Sequence, residues 1–160
     1  MNPAPFCLIG IVNVTPDSFS DGGKYIDPRN AVAHGLRLLD EGAGMLDLGA
    51  ESTRPFAEPV PEGEEIARLM PVVARLREQR PDAVLSVDTL KAGTARAALE
   101  GGADIINDVS ACVADPALLD VLAEYKPGYV LMHSQGSPRE MQVNPRYGNV
   151  VGSNIFNVLM

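Results

Sequence analysis

MLDLGAESTRP, residues 45–55, reads as a short apolar strand that runs into a polar turn stiffened by proline. The same pattern repeats outward in both directions. CLIGIV (7–12) leads to Asn13 and the loop PDSFSDGG, and AVLSV (83–87) leads to Asp88-Thr89. A strand over 104–107 ends in Asn107-Asp108, and a last one over 129–132 ends in Met132-His133. One polar residue after a strand means little. Five in succession describe the mouth of a parallel α/β barrel, where functional groups collect at the C-terminal ends of the strands.

The intervening segments read as helices. Asp27-Pro28 has the form of an N-cap followed by proline at the first helical position. Val32, Leu36, Leu39 and Ala43 then share one face, and Gly42 and Gly44 mark the stop. Ile66, Leu69, Met70, Val73 and Leu76 predict an amphipathic helix ending before Pro81. An alanine-rich helix over 91–100 stops at Gly101-Gly102, and Asp115-Pro116 opens another that carries Leu118, Leu119 and Leu122. The strands look apolar without alternation, which predicts burial on both faces. A doubly wound open sheet competes, but the first strand lacks a GxGxxG turn and the polar residues do not gather at one switch point. The expected fold is therefore α/β, an incomplete (β/α)8 TIM barrel of about five βα units. A complete barrel takes about 250 residues, and this chain has 160.

Composition narrows the partners. Hydrophobic residues make up 46% and charged residues 21%, a globular rather than disordered balance. Net charge is −8, which disfavours nucleic acid or an anionic membrane surface. A phosphorylated small substrate stays open, because it needs only a few local cations and N–H groups. Cys7 and Cys112 fit neither a disulfide framework nor a zinc site, and both read as small buried hydrophobes. No signal-peptide n-region is visible, and no apolar run reaches the roughly 20 residues of a membrane span. The expectation is a reduced, cytoplasmic protein.

Among the strand-end residues, Asn13 offers a side-chain carbonyl of the kind Mg²⁺ accepts alongside waters and substrate phosphates, or it caps a turn. Thr53 supplies a hydroxyl and Arg54 a guanidinium suited to bidentate phosphate binding, unless Arg54 forms a surface ion pair. Glu51 reads as ordering this loop. Asp88 and Asn107 end neighbouring strands, where a carboxylate beside an amide can read the edge of a flat nitrogen heterocycle or satisfy loop N–H groups. Asp47, inside its strand, reads as structural. His133 is a general-base candidate with no matching nucleophile, so it reads as loop structure, and His34 as an ordinary helix residue. No Ser/His/Asp order, HExxH, Walker loop or Cys/His metal spacing occurs. Together the residues suggest a transferase handling a pyrophosphorylated heterocycle.

IVNVTPDSFSDGG (11–23), DLGAESTRP (47–55), SVDT (86–89), GADIINDVSA (102–111) and VLMHSQG (130–136) strongly resemble, in order and spacing, the dihydropteroate synthases of folate biosynthesis. The resemblance covers residues of about 5–147. It implies a pterin-binding (β/α)8 barrel that condenses 6-hydroxymethyl-7,8-dihydropterin pyrophosphate with p-aminobenzoate, giving 7,8-dihydropteroate and pyrophosphate with Mg²⁺ assistance. By resemblance, Asn13 is the metal ligand. Thr53 binds substrate, Arg54 lies on the pyrophosphate side, and Asp88, Asn107 and Met132 hold the pterin. Ser18 and Phe19 belong to the first loop, at the p-aminobenzoate site where sulfonamides compete. The implied chemistry is loss of pyrophosphate to a pterin-stabilised cation, then attack by the aromatic amine. A homodimer is the family's usual assembly and is doubtful for this chain.

Two departures stand out. Phe56 occupies the place of a usual glycine after ESTRP, and the later motifs, a DPGFGFGK-like segment, an SRK-like strand end and an Arg-x-His pair, do not follow. Residues 148–160, GNVVGSNIFNVLM, instead resemble a repeat of sodium/calcium exchanger membrane proteins, so the chain divides into a partial barrel over 1–147 and a tail of different origin. The expected activity of this polypeptide is weak or nil. The alternatives are a non-catalytic pterin-binding fragment and a barrel like the methyltetrahydrofolate-dependent corrinoid methyltransferases, against which TPDSFSDGG and ESTRP argue.

Overall fold

The computed structural model describes residues 6–15, 27–51, 59–132, 146 and 148–149. Strands and helices alternate as β1 (Ile9–Asn13), α1 (Pro28–Asp40), β2 (Met45–Gly49), α2 (Glu62–Gln79), β3 (Val84–Asp88), α3 (Ala92–Glu100), β4 (Ile105–Asp108), α4 (Leu118–Tyr125) and β5 (Gly128–Leu131). The strands form one parallel sheet in the order β1-β2-β3-β4-β5. Sequential order with a helix after each of the first four strands is the arrangement of consecutive units around a (β/α)8 barrel, and this sheet makes up part of one.

Side chains alternate across a strand with period two. One face of the sheet carries Val12, Leu46, Leu48, Leu85, Val87 and Ile106, all fully buried beneath the helices against Leu69, Val72, Val73, Leu76, Ala95, Ala98 and Leu118. The other face does not follow the expectation of double-sided burial. Ile9 and Ile11 are each 52% exposed, and Val84 and Val130 are exposed as well. The cause is geometric, since the helices cover only the outer face and the opposite one is the inward face of a barrel wall. Near its C-terminal edge this inner face turns polar, with Asp47, Ser86, Asp88 and Asn107.

Local signals explain the element ends. Asp27 caps α1 by accepting the Arg29 amide at 2.9 Å, with Pro28 as the first helical residue. Gly42 closes the turn after α1 at φ +105°, where an L side chain is strained. Gly10 is required for close approach, because a Cβ there would stand 2.9 Å from Leu46 Cδ2 and 3.1 Å from Leu38 Cβ. The helix expected to open at Asp115-Pro116 begins three residues later, at Leu118. The Asp115 carboxylate spans two segments instead, accepting the Ala117 amide at 3.1 Å and the Ala92 amide at the start of α3 at 2.8 Å. Cys112 is buried as expected, but Cys7 is exposed, since it precedes β1 and lies outside the helix-covered core.

At the N-terminal end of the sheet, Arg77 joins α2 to the turns before β3 and β4. Its guanidinium donates to the carbonyls of Gly102 (3.1 and 2.7 Å), Pro81 (2.8 Å) and Ala83 (2.8 Å), and pairs with Asp104 at 2.7 Å. A planar five-donor fork suits several carbonyls at once, and an ammonium does not. Arg77→Gln is expected to lower stability by about 2 kcal/mol, read as a lower urea midpoint with an unchanged slope. Arg77→Lys should recover less than half of the loss.

Candidate functional site

The ladder register lines up four strand-end residues. Asn13 pairs with Gly49, Gly49 with Asp88, and Asp88 with Asn107. Register partners in a parallel ladder project to the same face, so Asn13, Asp88 and Asn107 form one row on the open inner face. Gly49 leaves a notch in that row. A Cβ placed there would lie 3.7 Å from Asp88 Cβ, 3.8 Å from Asp88 Oδ2 and 4.0 Å from Asn13 Oδ1. Two side-chain oxygens from flanking strands thus border one small gap.

Below the row sits Asp47, buried in the middle of β2. It accepts from Ser86 Oγ at 2.6 Å and from Asn107 Nδ2 at 2.9 Å, so one carboxylate links β2, β3 and β4. The bond to Nδ2 fixes the Asn107 amide and turns its Oδ1 away from Asp47. Asp88 feels this surrounding directly. Burial pushes its carboxyl up to about 7, with added repulsion from Asp47, Glu65, Asp108 and Glu51. Near neutral pH Asp88 therefore exchanges between acceptor-only and donor–acceptor forms.

Two further carboxylate clusters shape the rim. Asp108, the last residue of β4, lies on the buried side and organises the turn beyond it. It accepts the Ser110 amide and hydroxyl at 2.7 and 2.8 Å, the Cys112 amide at 2.5 Å and the Tyr129 hydroxyl at 2.9 Å. Burial pushes its carboxyl up, but these donors outweigh burial and hold it below the usual range. They also hold Ala111 and Cys112 at φ 53° and 62°, positions that non-glycine residues rarely adopt. The Tyr129 phenol is pushed up by burial first, and then by its bonds to Cys112 and Asp108. In the second cluster, Lys91 Nζ lies 2.5 Å from Glu51 Oε2 and 2.5 Å from Glu65 Oε2. Nearby, Arg68 donates to the Ala50 carbonyl at 2.9 Å and pairs with Glu64.

The residues anticipated from sequence divide into two groups. Asn13, Asp88 and Asn107 share the row, and Met132 follows β5 with its amide 3.2 Å from the Asp108 carbonyl. Ser18, Phe19, Thr53, Arg54, Phe56 and His133 lie outside the described residues. Glu51 pairs with Lys91, and the loop it was expected to order, from 52 to 58, lies outside the described residues. Asp47 is structural as expected, and it also orients Asn107. His34 stays a helix residue, with Nδ1 2.7 Å from Arg37 Nη2. Ser86, Glu65, Lys91 and Tyr129 were not anticipated. A small hydroxyl two residues before Asp88 on the same strand face was the one available signal, pointing to Ser86 as a buried partner for Asp47.

A family model described as pterin binding enzyme matches residues 9–155. The chain belongs to the pterin-binding enzyme family. The match runs past the start of the 148–160 tail, and no comparison supports the exchanger likeness of that tail. The dihydropteroate synthase of Mycobacterium leprae (strain TN) is 47% identical over 152 residues, covering 94% of this chain and 53% of that protein. The Xanthomonas albilineans dihydropteroate synthase structure with 4-aminobenzoic acid is similar at a TM-score of 0.81 and 47% identity, over 96% of this chain and 53% of that one. The same enzyme in complex with 7,8-dihydropteroate gives a TM-score of 0.77 and 44% identity, over 96% and 52%. The chain thus spans about half the length of the curated relatives it matches.

The resemblance to dihydropteroate synthases implies Mg²⁺. Among the described residues no group of three His, Cys, Asp or Glu is placed to hold a metal ion, so a dedicated protein cage is not what the site provides. The residues do fit a Mg²⁺ that keeps most of its waters and shares substrate phosphates, because Asn13 Oδ1 and Asp88 Oδ2 border the same Gly49 notch. Among the described residues, no helix is long and apolar enough to cross a membrane.

The Asp88 carboxyl is a weaker acid in the folded chain than in the unfolded one. The folded state holds this proton up to about pH 7, whereas an ordinary aspartate releases it near 3.8. The folded chain therefore binds more protons between those values, and Asp88 destabilises it progressively as pH rises through that window. Asp88→Asn removes the penalty. Its melting temperature is expected to exceed that of the unsubstituted chain by more at pH 8 than at pH 5, as read by calorimetric scans at both values.

Proposed function

We propose that this chain carries the pterin side of a dihydropteroate synthase site. In that reaction 6-hydroxymethyl-7,8-dihydropterin pyrophosphate and p-aminobenzoate give 7,8-dihydropteroate and pyrophosphate. The observation that carries the reading is the Asp88–Asn107 register pair, with Asn107 oriented by Asp47. A pterin edge presents neighbouring N–H donors and ring acceptors, and a fixed amide beside a carboxyl that titrates near neutrality meets both kinds. Names and bound molecules of the relatives point the same way.

In this reading Asp88 and Asn107 hold the heterocycle, Met132 lines its pocket, and Thr53 and Arg54 engage the pyrophosphate side. Ser18 and Phe19 meet p-aminobenzoate, and Asn13 holds Mg²⁺. When bound, Mg²⁺ would neutralise charge on the departing pyrophosphate. The protein's own contribution is positioning and charge placement rather than covalent work. Asp47 keeps the Asn107 amide from rotating, and Asp88 can hold or release a proton at its carboxyl as the pterin charge changes. The work is assigned to the cytoplasm, with no nucleic acid or membrane partner. Residues 148–160 form a separate tail in this reading, and their exchanger-like pattern rests on sequence alone.

The test is calorimetry of the 160-residue chain with 6-hydroxymethyl-7,8-dihydropterin, followed by a turnover assay with both substrates and Mg²⁺. Binding in the micromolar range is expected, weakened about tenfold or more by Asn107→Ala, with turnover weak or nil. No heat at high micromolar ligand would overturn the pterin assignment. Turnover at the rate of a full-length synthase would overturn the expectation of weak activity. Binding of methyltetrahydrofolate in preference to the dihydropterin would favour the corrinoid methyltransferase alternative.

A further inference from the structure

We propose that Lys91 is a positioning residue that balances the charge of the site so that a pyrophosphorylated ligand can occupy it; the assignment rests on the pterin pyrophosphate reading above. Acidic residues surround the strand-end row. Asp47, Asp88 and Asp108 end or underlie β2, β3 and β4, and Glu51 and Glu65 approach from the loop after β2 and from α2. A ligand carrying a pyrophosphate adds several more negative charges to the same region. In the reading above Arg54 and Mg²⁺ answer the pyrophosphate itself, but the protein's own surrounding carboxylates still favour the neutral pterin over its activated ester unless they are balanced.

Lys91 is placed to do so. It follows Asp88 by three residues, at the junction of β3 and α3, and its ammonium touches two carboxylates at once, Glu51 and Glu65, each at 2.5 Å. Glu65 is buried, with its side chain 1% exposed, while Glu51 and Lys91 are about three-quarters covered, at 28% and 24%. The triad therefore carries one net negative charge, whereas the two glutamates alone would carry two. Gly49 and Asp88 are register partners, Glu51 follows Gly49 by two residues and Lys91 follows Asp88 by three, so the triad stands immediately beyond the strand ends that form the row. A purely structural tie would support every ligand alike. Charge balance would support the pyrophosphate ester selectively.

The experiment is calorimetry of the 160-residue chain in one low-salt buffer. Two probes are used: 6-hydroxymethyl-7,8-dihydropterin and its pyrophosphate ester. Lys91→Met is expected to weaken the ester at least about tenfold relative to the alcohol, because losing one cation adds repulsion on every charge of the pyrophosphate at an effective dielectric of about 20. The double variant Lys91→Met with Glu65→Gln restores the local charge and removes the unpaired buried carboxylate, so it should return the ratio of the two affinities to that of the unsubstituted chain. Glu51→Gln, which leaves the Lys91–Glu65 pair intact, should shift the ratio about tenfold the other way and serves if Lys91→Met does not fold. Equal losses for both probes, no recovery in the double variant, or no gain with Glu51→Gln would overturn the Lys91 assignment while leaving the pterin reading standing. An unsubstituted chain that binds neither probe would overturn both.

Discussion

The buried carboxylate of Asp47 is the constraint on which the site depends. A lone carboxylate inside a sheet is costly unless its oxygens are satisfied. Here one oxygen accepts from Ser86 on β3 and the other from Asn107 on β4, residues 39 and 60 positions away in sequence. The bonds therefore form only when β2, β3 and β4 are in register. That register sets the row of Asn13, Gly49, Asp88 and Asn107. It also buries Asp88 beside Asp47, and burial first, then repulsion from the neighbouring carboxylates, raises the Asp88 carboxyl.

The rest of the molecule supports this arrangement from the outside. The helices bury the outer face of the sheet and leave the inner face to chemistry. Arg77 ties the N-terminal turns, where no ligand group is expected, and Asp108, Asp115 and Lys91 pin the segments after the strands. Stability and function thus occupy opposite ends of the strands, the usual division in barrels. The polar ends carry the strain as well. Ala111 and Cys112 sit at positive φ beside Asp108, and several carboxylates stand close to one another.

Much of this was legible in the sequence. Strand order, helix positions and the role of Asp27-Pro28 followed from apolar periodicity and capping chemistry, which are local. Asn13, Asp88 and Asn107 were legible because polar residues at consecutive strand ends have few other reasons to recur. The inner-face exposure of Ile9 and Ile11 was not, because burial of a strand depends on what covers it. The Lys91–Glu51–Glu65 triad and the Asp47–Ser86–Asn107 set were not legible either. Each joins residues far apart in the chain, and a serine or lysine carries no mark of its partner. Pro71 lies inside α2 without ending it, on an exposed face where local preference yields to the packing of the buried stripe.

The ends of β3 and β4 form one prearranged pterin-binding row in this proposal. Hydrogen–deuterium exchange with and without 6-hydroxymethyl-7,8-dihydropterin reads that row directly. Added protection confined to peptides containing residues 86–91 and 105–110, with the N-terminal turns unchanged, is the result this account predicts. Protection elsewhere, with these strand ends unaffected by a ligand that binds, would contradict it.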